Sequence, residues 1–151
     1  MIEKISDTDK SIVLCDKISL SLIFNDMSDL TKYGSDKQRF WLKFYSIEAS
    51  EEGIVLDVFL SLDDCVKQDF MVEDYVDSIA LFGVKKIVKE HGVGIDHSID
   101  VSKFIYNKIN LKNIKHLNNF FFNISISNRK ILNTNNKITI EKISILKEII
   151  I

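Results

Sequence analysis

Apolar and polar side chains alternate with a period of two along six segments of this chain. Such alternation is typical of a β-strand that buries one face and exposes the other. The last segment departs from strict alternation between Ile140 and Ile143, which predicts a β-bulge there. The six predicted strands cover residues 18–24, 39–45, 54–62, 75–82, 120–126 and 138–145.

Short polar or glycine-containing segments separate the predicted strands. The turn at residues 51–53 is short, so the strands on its two sides are predicted to form an antiparallel hairpin. Residues 25–37 are polar and predict a loop. Residues 85–96 contain two glycines and predict a mobile loop.

One further segment has the spacing of a helix. Asp100 is a favourable N-cap residue, and the apolar residues Val101, Phe104 and Ile105 follow at helical spacing. We expect a short helix that ends by Asn110. At least six strands together with this helix predict an all-β fold: an antiparallel β-sandwich, jelly-roll-like, with one short α-helix.

The chain shows neither an internal repeat nor a linker of distinct composition. Its 151 residues are enough for one self-sufficient core. We therefore expect a single β-sandwich domain over residues 1–151. Whether residues 1–10 are ordered or disordered stays open at the level of sequence.

Charge and hydropathy exclude several classes of protein. The 20 Lys and Arg residues nearly balance the 22 Asp and Glu residues, which argues against a nucleic-acid partner. No segment approaches the ~20 apolar residues of a membrane span, and the first residues lack the apolar core of a signal peptide. We expect a soluble cytoplasmic protein that contacts no membrane and whose Cys15 and Cys65 are free thiols.

The sequence offers little support for a catalytic centre. A metal-dependent enzyme would have to use His91, His97 and His116, but these residues lack the close spacing typical of metal ligands. Solvent-facing loop histidines are the favoured interpretation. The motifs of serine hydrolases, P-loop proteins and dinucleotide-binding proteins do not occur. We therefore expect a chain that is not an enzyme and needs no cofactor or metal.

Two aromatic residues are candidates for contact with a ligand or partner. Trp41 and Tyr45 fall on one face of a predicted strand, and an apolar set falls on the opposite face. One of the two faces can be exposed, so Trp41 and Tyr45 would stack on a sugar or anchor a protein. The alternative is that the 25–37 loop partly covers both faces. The opposite set comprises Phe40, Leu42 and Phe44.

The second half of the chain resembles a known family. Residues 75–84 read YVDSIALFGV and are followed by a loop with glycines and histidines. Residues 99–105 read IDVSKFI, and residues 138–145 read ITIEKISI. This order resembles the C-terminal β-sandwich domain of tyrosinases and polyphenol oxidases, which are type 3 copper oxidases.

The resemblance implies a non-catalytic covering or assembly role. In that family a separate helical domain holds two copper ions on six histidines, and the C-terminal domain shields the entrance to this site. The expected partner is therefore a type 3 copper oxidase catalytic domain or subunit. Phe70 and Met71, in an acidic segment, are candidates for a plug in its substrate pocket, unless they pack back onto the sandwich edge.

Two other possibilities stay open at the level of sequence. The chain could be a generic β-sandwich binding module for a carbohydrate or another protein, with Trp41 and Tyr45 as its contacts. It could also form a homodimer by edge pairing, for which the Ile-rich C-terminal strand is suited.

Overall fold

The computed structural model describes residues 2–8, 10–14, 17–23, 38–61, 74–112, 119–126 and 137–150. Two helices lie in these ranges, α1 (Val84–His91) and α2 (Ser102–Lys112). The strands in the same ranges are β1 (Ile2–Asp7), β2 (Ile12–Leu14), β3 (Lys17–Ile23), β4 (Gln38–Ala49), β5 (Val55–Ser61), β6 (Tyr75–Ala80), β7 (Ile95–Asp100), β8 (Asn119–Ile126) and β9 (Ile138–Ile149).

The strands form two antiparallel sheets, which confirms the predicted sandwich. Sheet A has the order β1-β9-β4-β7, with β2 pairing with β9 beyond the end of β1. Sheet B has the order β3-β8-β5-β6. If β1 and β2 count as one interrupted strand, the eight strands have the orders 1-8-3-6 in sheet A and 2-7-4-5 in sheet B. These two orders are the jelly-roll arrangement.

The predicted hairpin across residues 51–53 is wrong. Strand β4 pairs with β7 and β9, whereas β5 pairs with β6 and β8 in the other sheet. The turn contains Gly53 in the left-handed region (φ 74°), and it leads to Ile54, which is buried. The short connection therefore takes the chain from one sheet to the other, so that both amphipathic strands share one core.

The core lies between the inner faces of the two sheets. In β4 these inner residues are Phe40, Leu42 and Phe44, which leave almost no side chain exposed. They meet apolar residues of sheet B such as Leu56 and Val58 in one buried cluster. Burial of this apolar area is the main stabilising term of the fold, at about 25 cal/mol for each Å² removed from water.

The alternation of buried and outward residues is interrupted at the same place in β4 and β9, while the register between the two strands is unchanged. Buried residues of β9 step from Ile140 to Ile143, as the sequence predicts, and those of β4 step from Phe44 to Ile47 opposite them. The pairing of β4 with β7 shifts at this point, and Ser46 has a positive φ of 50°. This kink moves the second half of both strands relative to the first.

The prediction of a single helix is wrong, because residues 85–96 form a helix and a strand rather than a mobile loop. Helix α1 buries Val84 and packs Val88 against the core. Glycines flank this helix on both sides. Gly83 precedes it, and at its end the Gly92 N–H donates to the Val88 carbonyl oxygen at 2.8 Å.

The second helix confirms the prediction of a helix after Asp100. Asp100 Oδ1 accepts a hydrogen bond from the Ser102 backbone N–H at 3.0 Å, which satisfies one of the free N–H groups of the first turn. Ser102 Oγ in turn accepts the Phe40 backbone N–H at 2.7 Å, and the Tyr106 hydroxyl donates to the Gln38 carbonyl oxygen. These contacts fix α2 to the start of β4.

The ends of the chain join the same sheet. Strand β1 lies inside residues 1–10, which the sequence leaves open to disorder, and it pairs with residues 144–148 of β9. Thr8 continues this pairing by donating its N–H to the Ile143 carbonyl oxygen. Strand β9 is flanked by β1 and β2 on one side and by β4 on the other. Its backbone is therefore not an edge, so edge pairing would have to use another strand, and the homodimer stays a prediction.

Candidate functional site

The outer face of sheet A carries both aromatic residues singled out in the sequence. Trp41 and Tyr45 project from β4 on the side opposite its buried residues, and each is half-buried. The Trp41 indole N–H donates to Glu148 Oε2 at 2.8 Å across the sheet. This hydrogen bond fixes the orientation of the indole ring, so that the residue is held in place before any ligand arrives.

Tyr45 lies between two cationic side chains. The Nζ atoms of Lys43 and Lys142 are each 4.7 Å from the centroid of its ring. Contacts of this kind contribute roughly 0.5–1 kcal/mol at exposed sites. Lys142 is directly opposite Tyr45 in the pairing of β4 with β9, and Lys43 precedes Tyr45 by two residues on the same face. The sheet therefore holds two ammonium groups at one aromatic ring.

Another aromatic residue, Phe82, lies in the turn between β6 and α1. The Phe82 side chain is 70% exposed. The turn is braced on both sides, because the Gly83 N–H donates to Glu52 Oε2 at 2.8 Å and the Leu81 N–H donates to the Ile54 carbonyl oxygen at 2.8 Å. Two hydrogen bonds therefore order the backbone that carries the exposed Phe82 ring.

Residue Phe82 is a functional candidate that the sequence reasoning missed. The strand pattern includes it in the fourth predicted strand (residues 75–82), whereas β6 ends at Ala80. A usable signal exists in the sequence. Ile79 and Leu81 are both buried, so alternation places Phe82 on the opposite side, just before a glycine. An aromatic residue at an outward position beside a turn glycine is a candidate for partner contact.

A pocket of about 200 Å³ lies between α1 and the adjoining ends of β4 and β9. Its apolar floor includes Ala49 and Val88, while Glu48, Lys85 and Lys137 contribute charged groups. Both signs of charge are present, so the lining selects no single class of ligand.

Sheet B carries a row of hydroxyl and carboxylate groups on its outer face. Ser78 Oγ donates to Asp57 Oδ1 at 2.6 Å, and the Tyr75 and Ser78 hydroxyl oxygens are 2.6 Å apart. Asp57 and Ser78 are directly opposite each other in the pairing of β5 with β6. The carboxylate is therefore a satisfied acceptor, and the row is typical of a cross-strand contact rather than of an active site.

The two described histidines among those weighed as metal ligands lie in different elements. His91 ends α1 and is exposed, whereas His97 lies in β7 opposite Phe44. Within the described ranges, no group of three or more His, Cys, Asp or Glu side chains is placed to hold a metal ion. His116 lies outside the described residues, as do Cys15 and Cys65.

Both plug candidates also lie outside the described residues. Phe70 and Met71 fall in the segment 62–73, so their assignment as partner contacts stays a prediction. In the part of the chain that the structure covers, no helix is both long and apolar enough to cross a membrane.

The sandwich is similar in fold to parts of larger proteins of known structure. The fold matches latent aurone synthase, a polyphenol oxidase, with a TM-score of 0.65 and 12% identity, over 95% of this chain and 26% of that chain. It matches latent apple tyrosinase with a TM-score of 0.56 and 11% identity, over 91% and 27%. The chain therefore spans about a quarter of each oxidase.

A third solved structure extends the likeness beyond oxidases. A protein crystallised in complex with neoagarooctaose matches with a TM-score of 0.50 and 9% identity, over 97% of this chain and 18% of that chain. Because identities this low show only a shared fold, these structures establish the β-sandwich architecture and not an activity.

Sequence comparison gives a family without an assigned role. No curated protein matches the sequence significantly. The family profile that matches covers residues 10–148, which is nearly the whole chain. This chain belongs to the family described as "Domain of unknown function (DUF7868)".

Proposed function

We propose that this chain is a non-catalytic covering or assembly domain whose partner is a type 3 copper phenol oxidase. The observation that carries the proposal is the match of 95% of this chain to a quarter of a latent polyphenol oxidase. The motif order in the second half of the sequence supports the same assignment. A domain of this size that covers an active-site entrance needs a contact surface rather than reactive groups.

The turn at Phe82 supplies a contact suited to this role. Transfer of an exposed aromatic side chain into an apolar pocket contributes up to roughly 1.5–3 kcal/mol. The Glu52 and Ile54 hydrogen bonds already order the turn, so little conformational entropy is lost on binding. Phe70 and Met71 stay candidates for a second contact of the same kind.

The proposal is tested by isolating the tagged chain with its partner from the source cell. We expect the co-isolated protein to contain copper and to oxidise an o-diphenol slowly. Its activity should rise several-fold when this chain is removed, because the entrance to the copper site is then uncovered. A partner without copper, or an activity that does not change on removal, contradicts the proposal.

Replacement of Phe82 by Ala should weaken the complex by about 10- to 100-fold, which corresponds to the loss of about 1.4–2.8 kcal/mol of apolar burial. The measurement is the dissociation constant of the purified pair by calorimetry. The matched control is Ile2→Ala, since Ile2 is 63% exposed and lies in β1 of sheet A, whereas Phe82 follows β6 of sheet B. Equal affinities of both variants for the partner would show that Phe82 does not contribute to the interface.

A second candidate function is carbohydrate binding by the outer face of sheet A. It is favoured by one specific observation, the placement of Trp41 and Tyr45 on the same outer face with the indole fixed by Glu148. An aromatic ring on the outer face of a strand presents a flat surface on which the C–H face of a sugar stacks.

The variant Trp41→Ala tests the second function. It should reduce glycan binding at least tenfold, because one stacking surface and its polar anchor are lost together. The measurement is retardation in native gels that contain a polysaccharide. The control is Tyr75→Ala, which removes an exposed tyrosine from sheet B. If both variants migrate like the unmodified protein, the aromatic face of sheet A does not bind the glycan.

A further inference from the structure

We infer that the β7 edge, the side of β7 that faces away from β4, binds an extended segment of a partner protein as a further antiparallel strand of sheet A. The segment that fits this edge alternates basic and apolar residues. Strand β7 is the last strand of sheet A in the ranges that the structure describes. The inference goes beyond both proposed functions, because it uses neither Phe82 nor the aromatic residues of the outer face.

The hydrogen-bond pattern shows which main-chain groups of β7 belong to this edge. The Val101 N–H donates to the Phe40 carbonyl oxygen at 2.9 Å, so this opposing pair is hydrogen-bonded between the two strands. Antiparallel strands alternate hydrogen-bonded and non-hydrogen-bonded pairs. The residues two and four positions before Val101 therefore bond to β4 as well, whereas the N–H and C=O groups of Ser98 and Asp100 point away from it. Both of these residues are exposed.

Two other edge strands carry features that oppose strand addition. In β1 the pairing has a register shift after Lys4, and Lys4 forms an ion pair with Asp7 at 3.0 Å. In β6 the Asp77 carboxylate accepts the Ser78 N–H at 2.8 Å, so that edge offers no free donor at Ser78. Bulges, lysines and charged side chains at edges are devices by which natural sheets avoid unwanted pairing.

The two carboxylates of β7 leave its edge uncovered. Asp96 Oδ1 accepts the Ser46 N–H at 2.9 Å on the β4 side of the strand. Asp100 Oδ1 accepts the Ser102 N–H at 3.0 Å at the start of α2. Within the described ranges neither carboxylate bonds to the main chain of Ser98, so β7 offers the row of donors and acceptors that strand addition uses.

The charge of the same carboxylates indicates the chemistry of the partner. Asp96 and Asp100 accept hydrogen bonds from neutral N–H groups and so keep their negative charges, and both lie on the outer face of sheet A. The cations closest to them in register or sequence are Arg39, Lys43 and Lys103, and in the described part of the chain none of these forms an ion pair with either carboxylate. Basic residues opposite Asp96 and Asp100 in an added strand would therefore form favourable cross-strand pairs.

The same charges disfavour a second copy of this chain at the β7 edge. A symmetric antiparallel pair of β7 strands centred on Ser98 would place Asp96 opposite Asp100 of the second copy, and like charges at opposite positions are destabilising. The remaining positions of an added strand continue the inner face of the sheet beside His97 and Ile99. Ile99 is buried, so apolar residues fit these positions.

The experiment uses the full chain and a synthetic peptide with the order Lys-Val-Thr-Val-Lys between Gly-Ser ends. We expect the peptide to bind and to slow amide exchange at Ser98 and Asp100 by about tenfold or more, measured for each residue by NMR. In the free chain these amides should exchange faster than those of His97 and Ile99. Equally slow exchange without peptide would overturn the inference, because the edge would then already be covered. Absence of peptide binding would overturn it as well.

Modified peptides test whether the contact is strand addition. Methylation of the threonine amide removes a donor that faces β7 and should weaken binding by about tenfold or more. Methylation of one valine amide, which faces away from β7, should leave the affinity unchanged. Replacement of both lysines by glutamate should weaken binding by a similar factor, because the new carboxylates would lie opposite Asp96 and Asp100. If the threonine-methylated or the glutamate peptide binds as tightly as the parent, the inference is overturned.

The variant Ser98→Pro makes the corresponding change in the protein. Its N–H faces away from β4, and proline is tolerated at such positions of edge strands. Peptide affinity should fall by about tenfold or more. The matched control is Ala80→Pro, which removes an outward N–H from the edge strand β6, next to the Leu81 N–H that bonds to Ile54. Circular dichroism should show that both variants are folded, and equal affinities for the peptide would overturn the site assignment.

A double variant that keeps the backbone unchanged tests the charge preference. Asp96→Asn/Asp100→Asn retains side-chain oxygens that accept the Ser46 and Ser102 N–H groups but removes both negative charges. The unmodified chain should prefer the lysine peptide to one with threonine at both ends, and the double variant should bind the two peptides equally. A preference for lysine that persists in the double variant would overturn the assignment of a basic partner segment.

Discussion

The variant Phe44→Ala should lower the free energy of unfolding by about 3–5 kcal/mol. The Phe44 side chain is fully buried at the centre of β4, in the cluster that joins the two sheets. Removal of the ring loses its transfer free energy and leaves a cavity that close-packed neighbours cannot fill. Urea unfolding followed by circular dichroism measures the difference from the unmodified protein.

The matched control for this prediction is the adjacent residue. Tyr45→Ala removes a ring of nearly the same size from the outer face, where it is half-buried and contacts two lysine side chains. We expect a loss of about 1 kcal/mol, from the cation–π contacts and a limited apolar area. If Tyr45→Ala destabilises the fold as much as Phe44→Ala, then the outer face of sheet A is a second core and not a binding surface.

These two substitutions also show where the sequence left a choice open. Alternation separates Phe40, Leu42 and Phe44 from Trp41 and Tyr45, but both sets are apolar enough to be buried. Periodicity gives the two faces of a strand without saying which face meets the other sheet. The tertiary arrangement decides this, because β4 is central in sheet A and has only one face toward sheet B.

The strands themselves were predictable, while the connections between them were not. All six predicted strands overlap observed strands, since alternation is a local property of the chain. The hairpin prediction at 51–53 fails because a short turn can join strands of one sheet or cross between two sheets. The choice depends on long-range pairing with β7 and β9, which no local pattern reports.

The missed helix has a different physical cause. Val84, Ile87 and Val88 have helical spacing, and glycines at 83 and 92 flank them, so the signal for α1 was present. Glycines near a short segment also indicate a loop, and the two interpretations compete. The observed φ values of 78° at Gly83 and 73° at Gly92 lie outside the helical region, so these glycines flank the helix on its two sides rather than interrupt it.

The candidate site was predictable only in part, because side-chain partners lie far apart in sequence. Trp41 and Tyr45 were identifiable from their strand face. The contacts that orient and charge them come from Glu148 and Lys142, on a strand about one hundred residues later. Register between β4 and β9 brings these groups together, so the binding properties of the face emerge only with the fold.

The variant Gly94→Ala should lower the free energy of unfolding by about 3 kcal/mol or more. Gly94 packs directly against the backbone of Ile47, and an added Cβ would lie 2.6 Å from the Ile47 carbonyl carbon. A backbone neighbour cannot turn aside as a flexible side chain does. The start of β7 would have to move away from the kink of β4, which also separates the Gly94 N–H from Ser46 Oγ.

The same substitution two residues earlier provides the comparison for Gly94. Gly92 has a φ of 73° with open space around its Cα, so Gly92→Ala introduces only backbone strain of about 1–2 kcal/mol. Gly94→Ala should in addition speed amide exchange along β7, because its register with β4 is disturbed, whereas Gly92→Ala should not. If Gly94→Ala is as stable as Gly92→Ala and exchanges equally slowly, β7 does not approach the β4 kink this closely, and the kink is then held by Asp96 and Ser46 alone.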